Sequence, residues 1–210
     1  MNATTLDLAV LTLVAANAFA GERYLDRTIP ARTRLAEARD ELYKELREPT
    51  KPHHGGGGGM ITHEYRLAQF VRQFHRIVNY HDETEKRWRN DEQAFVELSD
   101  MMRNEENPRA KEAMMIALAC CGDRTHETEL IEIVQRKDDP TPRGFTIEAL
   151  GNNGCRAAIP VLLKQLEDPY EVPAGCLRIH GEETEFPVRD YSARALRRLG
   201  VTVEYVKRGP

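Results

Sequence analysis

The chain of 210 residues lacks the features that mark several large classes of protein. It has a formal net charge of −4 and no block of Lys and Arg, whereas a dedicated nucleic-acid-binding domain presents a basic patch to the phosphates. No phosphate-binding glycine loop, G-x-S-x-G nucleophile elbow or H-E-x-x-H zinc motif occurs. We therefore expect no nucleic-acid partner, no cofactor and no catalytic residue of these kinds.

Cysteine is also scarce, and its spacing excludes further chemistry. Cys120, Cys121, Cys155 and Cys176 are too few for a disulfide framework in a chain of this length. The absence of a C-x-x-C spacing excludes haem attachment, zinc ribbons and thioredoxin-like chemistry.

The first twenty residues contain a short apolar run. Residues 8–20 hold no charge, but these thirteen residues fall short of the roughly 20 that span a bilayer. With Ala18 and Ala20 before Gly21, the run favours a signal peptide and export to the periplasm or the cell exterior. The preceding stretch has no Lys or Arg, so two alternatives stay open. They are a buried helix in a cytoplasmic protein and an uncleaved membrane anchor.

Residues 21–59 are predicted to form one helix and a linker. Apolar residues at spacings of three and four predict an amphipathic helix over 31–48. A Pro/His/Gly-rich linker follows, in which His53 and His54 precede five glycines. Adjacent ligands on a glycine-rich loop make a poor metal site, so we predict no metal ion here.

Residues 60–106 are predicted to be helical as well. The apolar pattern indicates helices over 62–81 and 91–103, with Trp88 between them as a packing anchor. Two interpretations of this segment stay open: a helical cap or a degenerate repeat.

The second half of the chain repeats itself. Segments 108–122, 140–154 and 186–200 align without gaps, at offsets of 32 and 46 residues. Each carries a basic residue, an alanine, a leucine and a glycine at matching positions: Lys111, Arg143 and Arg189; Ala117, Ala149 and Ala195; Leu118, Leu150 and Leu196; Gly122, Gly154 and Gly200. Second helices are predicted over 127–138 and 157–168, and the glycines suit helix ends. Two-helix units in tandem predict a helical solenoid.

The runs RAAIPVLLKQLEDP, DPTPR and PVRDYSARALRRLG carry a family resemblance. Residues 107–200 resemble HEAT repeats of the short bacterial type that also occurs in phycobilisome lyases. The resemblance implies an all-α fold, a right-handed α-solenoid of helix pairs in a domain of residues 107–210, after an N-terminal helical extension. The resemblance is unspecific for function. Because α-solenoids generally bind other proteins through extended surfaces, we expect a non-catalytic protein-interaction scaffold. A tetrapyrrole (bilin) lyase-like enzyme and an obligate subunit of a larger assembly are the alternatives, although no lyase catalytic residue matches this sequence.

An insertion of 14 residues separates the last two repeated segments. A turn at His180 and Gly181 predicts a small β-hairpin over 176–186. The hairpin has two interpretations, a part of the binding face or a cap on the repeat stack.

The outward side of the second helices is the predicted binding face for a protein partner, whose identity the sequence does not specify. Its charges are mixed, so it favours no strongly acidic or basic ligand. The candidate residues are Glu129, Glu132, Arg136, Lys164, Gln165 and Asp168. Cys121 and Cys155 lie near the ends of adjacent first helices and form a candidate disulfide in an exported protein.

Overall fold

The structure is a computed structural model that describes residues 26–47, 51–52, 60–61, 63–82, 84–136, 140–171, 178–179 and 182–204. The predicted signal peptide, the His53–His54 pair, the pentaglycine run and Cys176 lie outside these residues. The chain divides into two compact units, Met1–Met114 and Met115–Pro210. No helix of the described segments is long and apolar enough to cross a membrane.

Helices dominate both units, and every sheet is a two-stranded antiparallel ribbon. The elements run in the order α1 (Ala31–Arg47), β1 (Lys51–Pro52), β2 (Met60–Ile61), α2 (His63–Val78), β3 (Asn79–Asp82), β4 (Arg87–Asn90), α3 (Glu92–Arg103), α4 (Pro108–Cys120), α5 (Glu127–Gln135), α6 (Pro140–Asn152), a 3₁₀ turn (Arg156–Ala158), α7 (Ile159–Gln165), β5 (Arg178–Ile179), β6 (Glu182–Glu183) and α8 (Pro187–Arg198). The predicted all-α fold is confirmed, and so is its small hairpin, in which β5 pairs with β6.

The first unit is built on the mutual packing of α1, α2 and α3. The apolar residues that recur at helical spacing in the sequence are the ones that are buried, because one stripe of each helix faces the other two. Its largest fully buried side chains are Leu35, Leu42, Leu67, Phe74, Ile77 and Leu98.

A hairpin that the sequence analysis did not predict interrupts this unit. The predicted helix over 62–81 ends at Val78, and β3 then pairs with β4 in the register His81 to Trp88. Lys86 takes a positive φ of 50° at the turn, and Asp91 ends the ribbon by capping α3 through the Ala94 N–H. Trp88 is 65% exposed. The prediction that Trp88 is a packing anchor is therefore wrong, because the ribbon directs it away from the core.

The second unit contains α5, α6, α7 and α8, and α6 packs against both α5 and α8. Its core comprises Leu130, Val134, Ile147, Leu150, Leu162 and Leu196. Helices α6 and α8 approach closely at Gly151, where a Cβ atom would come within 2.7 Å of the Ala195 Cβ. A glycine at this place lets two helix backbones approach closely.

The three repeated segments end their helices in the same way. Gly122, Gly154 and Gly200 all have positive φ, between 70° and 99°. After each, the next backbone N–H donates to the aligned leucine carbonyl: Asp123 to Leu118, Cys155 to Leu150 and Val201 to Leu196. This is the Schellman arrangement, which satisfies carbonyls left open at a helix end. The predicted role of these glycines is confirmed.

The second helices are shorter than predicted. Helix α5 ends at Gln135, whereas a helix over 127–138 is predicted. The helix predicted over 157–168 is a 3₁₀ turn followed by α7, which ends at Gln165. Asp168 therefore lies in the loop that follows α7, and this loop forms one side of the site described next.

Candidate functional site

The second unit contains a groove of about 680 Å³ beside α7. The end of α5, the start of α6, one side of α7 and the loop after α7 contribute its walls. Its described lining residues are Gln135, Arg143, Val161, Lys164, Gln165, Glu167, Asp168, Pro169 and Tyr170. The volume lies within the range of about 300–1,000 Å³ that is usual for ligand sites.

A buried ion pair forms the base of this groove. Arg143 Nη1 lies 2.5 Å from Asp168 Oδ2, and both side chains are less than a tenth exposed. Gln165 Oε1 accepts a second bond from Arg143 Nη1 at 3.2 Å, and the Tyr170 N–H donates to Asp168 Oδ1 at 3.0 Å. Buried charges are tolerated when they are paired and also hydrogen-bonded, as both are here. The pair holds the loop after α7 against α6.

Arg189, on α8, binds the same loop from the other side. Its Nε donates to the Asp168 carbonyl at 2.6 Å, and its guanidinium lies over the Phe186 ring at 4.2 Å. Arg143 and Arg189 occupy equivalent positions in consecutive repeated segments. The basic residues that recur in these two segments therefore bind Asp168 in two ways. Arg143 binds its carboxylate, and Arg189 binds its backbone carbonyl.

The surface that this framework presents is mixed in character. Tyr170 is 40% exposed, two residues after the fixed Asp168, and Leu163 is exposed on α7 nearby in sequence. Lys164 and Glu167 are exposed and carry opposite charges. Leu163 does not belong to the described lining, whose aliphatic surface comes from Val161 and Pro169. The groove thus combines an aromatic ring, aliphatic surface and one exposed charge of each sign, which suits contact with a peptide rather than the binding of a highly charged small ion.

The predicted binding-face residues divide between two places. Lys164 is exposed and Gln165 half-buried, and both line the groove. Glu129 and Glu132 are exposed on α5 and Arg136 is half-buried just after it, and none of the three belongs to the described lining. That these side chains form a partner-binding face stays a prediction.

Asp168 requires a correction. The prediction that its side chain faces outward is wrong, because it is only 8% exposed and pairs with Arg143. The error arises from extending a helical face beyond the residue at which α7 ends.

The sequence analysis missed six of the described lining residues of the groove: Gln135, Arg143, Val161, Glu167, Pro169 and Tyr170. A sequence feature did indicate Arg143, since a basic residue recurs at the same place in the three repeated segments, at Lys111, Arg143 and Arg189. A charge on a core-facing helix needs an acidic partner, and the Asp168–Pro169 dipeptide after the second helix supplies it. No comparable feature of the sequence indicated that Tyr170 lines the groove.

The described cysteines of the second unit, Cys120, Cys121 and Cys155, are not joined in a disulfide in the structure. Burial raises the pKa of Cys120 to about 12 and also raises the pKa of Cys121. Burial and then the hydrogen bond that its thiol donates to Glu127 raise the pKa of Cys155. The Cys121–Cys155 disulfide stays a prediction for an oxidising compartment.

Residues 142–168 match the family model described as PBS lyase HEAT-like repeat. This segment is a HEAT-like repeat. The suspected family is thus confirmed on these residues, and Arg143 and Asp168, the partners of the buried ion pair, lie at the two ends of the HEAT-like repeat. No curated protein and no solved structure matches the chain at a significant level.

Metal-binding clusters do not occur in the described segments, where no three His, Cys, Asp or Glu side chains come together in a suitable arrangement. Within the HEAT-like repeat itself, the charged groups of the groove base already bind each other. What the groove offers a ligand is therefore its exposed rim, above all Lys164, Glu167 and Tyr170.

Proposed function

We propose that the chain is a non-catalytic protein-interaction module, and that the groove of its HEAT-like repeat binds a peptide segment of a partner protein. The observation that carries the proposal is the exposed Tyr170 on a loop fixed at Asp168 by Arg143 and Arg189. A tyrosine side chain has few rotatable bonds and so loses little conformational entropy on binding, and Tyr is enriched among residues that dominate interface energies.

The charges of the groove indicate what the partner presents. Asp168 compensates the charge of Arg143, and the remaining exposed charges of Lys164 and Glu167 are opposite in sign. A strongly acidic or basic segment gains little from such a surface. The partner segment therefore contributes an apolar side chain against Tyr170 and polar groups at the rim.

The cysteine environments support a non-catalytic function. Thiol chemistry requires a thiolate, and a reactive cysteine has a lowered pKa beside a cation or a helix N-terminus. Cys120, Cys121 and Cys155 have raised pKa values instead. Burial thus disfavours the thiolate form of these three cysteines.

A comparative capture experiment tests the proposal. The full chain, its groove variant Lys164→Glu/Tyr170→Ala and the control Arg197→Glu serve as baits in extract of the native host, followed by quantitative mass spectrometry. Arg197 is exposed on α8 and does not belong to the described groove lining. We expect one or a few proteins to be captured by the wild type and the control and to be depleted at least about tenfold on the groove variant, the loss expected for a hot spot.

Two results contradict the proposal. Equal capture by all three baits removes the groove as the binding site. A change in the absorbance spectrum of free bilin on mixing with the wild-type protein, together with no groove-dependent protein partner, favours the lyase-like alternative. Circular dichroism of the three baits establishes that the substitutions leave the fold intact.

We also propose export of the protein, on the apolar run of residues 8–20 and the small residues before Gly21. The N-terminus of the native protein in cytosolic, membrane and exported fractions tests it by mass spectrometry. A chain that begins at Gly21 outside the cytoplasm agrees with export. A chain that keeps Met1 in the cytosol contradicts it, and retention of Met1 in the membrane fraction indicates an anchor.

A further inference from the structure

A second cavity, of about 480 Å³, lies in the first unit and is not explained by the HEAT-like repeat. It lies beside the β3–β4 ribbon and the end of α2. The lining residues that concern its chemistry are Arg27, Arg34, Arg76, Tyr80, Asp82 and Trp88. Three guanidinium groups around one small cavity are unusual in a chain whose net charge is −4.

The one buried arginine of this cavity is held rigidly. Arg34 is 3% exposed, donates from Nε to the Ile29 carbonyl at 3.1 Å and lies 3.6 Å from Asp91. Burial lowers the pKa of Arg34, and the nearby positive charge of Arg27 lowers it further. The negative charge of Asp91 raises it. The cavity thus holds like charges close enough to repel each other, and an anion between them relieves that repulsion.

The two exposed arginines are available to a ligand. Arg76 makes no hydrogen bond or ion pair with the described part of the chain, while Arg27 lies over the Tyr80 ring at 3.3 Å. The lining acid, Asp82, already accepts from the Thr84 N–H, the Thr84 hydroxyl and the Glu85 N–H. Asp91 lies outside the described lining but pairs with Arg34. Counted with Asp91, the cavity has three arginines against two carboxylates and thus an excess of positive charge.

Aromatic surface adjoins these charges. Trp88 is 65% exposed, and its ring meets His81 edge to face at a centroid distance of 5.5 Å. That contact orients the indole, most of whose surface is exposed. Exposed tryptophan costs free energy in water, and its open face can stack on a planar ring.

We propose that this cavity binds a phosphate monoester attached to a planar ring, with Arg27, Arg34 and Arg76 around the phosphate and Trp88 against the ring. A phosphate monoester carries a charge of about −1.5 to −2 at neutral pH, opposite in sign to the excess charge of the cavity. Arginine binds such groups through paired N–H donors. A mononucleotide and free phosphotyrosine both have this chemistry, and the experiment below distinguishes them.

Isothermal titration calorimetry of the full chain with AMP and with free O-phosphotyrosine tests the proposal. Trp88 is the only tryptophan, so its fluorescence reports independently on occupation of the cavity. We expect at least one of the two probes to bind and to quench Trp88, and the tighter one identifies the ring. Adenosine, tyrosine and inorganic phosphate supply the ring or the charge alone, and we expect each to bind at least about tenfold more weakly.

Variants determine whether binding occurs at this cavity. Arg76→Gln and Trp88→Ala alter exposed side chains, so we expect both to keep the fold by circular dichroism and to weaken binding about tenfold or more. Arg87→Gln is the matched control, because Arg87 is exposed on the same ribbon, pairs with Glu85 and is absent from the described lining. We expect its affinity to equal that of the wild type.

Three outcomes overturn the proposal. The first is that neither probe binds at millimolar concentration. The second is that inorganic phosphate binds as tightly as AMP and phosphotyrosine, which removes the role of the ring. The third is that binding is unchanged in Arg76→Gln and Trp88→Ala, which places the ligand elsewhere on the protein.

Discussion

Arg143 and Arg189 stand at equivalent positions of two consecutive repeated segments, and both donate to Asp168. Arg143 binds the carboxylate, whereas Arg189 binds the backbone carbonyl. One residue in a loop is thereby tied to α6 and to α8. The same loop presents Tyr170, so the ion pair that stabilises the repeat also determines the shape of the candidate binding groove.

The first prediction concerns Asp168→Ala, which leaves the buried Arg143 without its carboxylate. Loss of one partner from a buried pair costs about 3–5 kcal/mol, because the other charge stays desolvated. We expect the free energy of unfolding in urea to fall by about this amount. Glu167→Ala, at the exposed neighbouring position, serves as the control and is expected to change it by less than about 0.5 kcal/mol.

The double variant Arg143→Met/Asp168→Leu tests whether the uncompensated charge of Arg143 causes the loss of stability. Replacement of a buried pair by apolar residues of similar volume is often neutral or stabilising. We expect the double variant to be more stable than Asp168→Ala alone. If the two variants are equally unstable, the cost comes from the loop contacts of Asp168 and not from the uncompensated charge of Arg143.

The second prediction concerns the close approach of α6 to α8. In Gly151→Ala the new Cβ would lie 2.7 Å from the Ala195 Cβ and 2.8 Å from its Cα, so the helices must separate. We expect a loss of about 1–3 kcal/mol in unfolding free energy, in spite of the better helix propensity of alanine. Urea unfolding followed by circular dichroism measures this loss.

Gly144→Ala is the matched control on the same helix. Its Cβ would meet the Tyr191 ring at 2.9 Å, and a side-chain ring can rotate away where a backbone atom cannot. We expect a smaller effect than for Gly151→Ala. Equal stability of Gly151→Ala and the wild type would show that α6 and α8 separate without loss, contrary to the prediction.

The repeated segments contain the features of the fold that the sequence predicts correctly. Helix ends at Gly122, Gly154 and Gly200 were predictable because a glycine with positive φ and the adjacent backbone bonds form a local motif. The burial of the apolar stripes was predictable for the same reason, since helical periodicity is local.

Asp168 and Trp88 illustrate what could not be predicted. The position of Asp168 depends on where α7 ends and on contacts with Arg143 and Arg189, which are 25 and 21 residues away. The exposure of Trp88 depends on a ribbon of two four-residue strands. The polar sequence of these strands has no strand-like alternation of buried residues. The turn of this ribbon requires a positive φ at Lys86. Lysine rarely adopts this conformation, so the sequence does not predict a turn there.

The third prediction is a pH dependence from Tyr43. Its hydroxyl donates to Glu105, and burial first and that carboxylate second raise the pKa of Tyr43 to about 12 from 10.0. The folded state thus holds the phenolic proton more tightly than the unfolded state. The stabilisation is complete below pH 10 and is lost as the pH rises from 10 towards 12.

Unfolding in urea at a series of alkaline pH values tests this prediction against Tyr43→Phe, which has no titrating group at that position. We expect the difference in unfolding free energy between wild type and variant to decline across the interval. In Glu105→Gln one cause of the raised pKa of Tyr43 is removed while its unfolded-state pKa is unchanged. The decline should therefore begin at the same pH, end at a lower pH and be smaller in total. A difference that is independent of pH contradicts the assignment.

The last prediction concerns the cysteines of the second unit. Alkylation requires a thiolate, and burial raises the pKa of Cys120, Cys121 and Cys155. We expect iodoacetamide at about pH 8 to modify these three thiols much more slowly in the folded, reduced protein than after unfolding in urea. Peptide mapping by mass spectrometry resolves each site, and equal rates in both states would contradict their burial.

One variant separates the thiol of Cys155 from the other two. Glu127→Gln removes the carboxylate that accepts its hydrogen bond and raises its pKa, so modification of Cys155 alone should become faster. Glu132→Gln, exposed on the same helix, should leave the rate unchanged. The same mapping, performed without reductant on exported protein, tests the predicted disulfide. A linked Cys121–Cys155 peptide agrees with it, and free thiols at every position would exclude it, since a disulfide persists in an oxidising compartment.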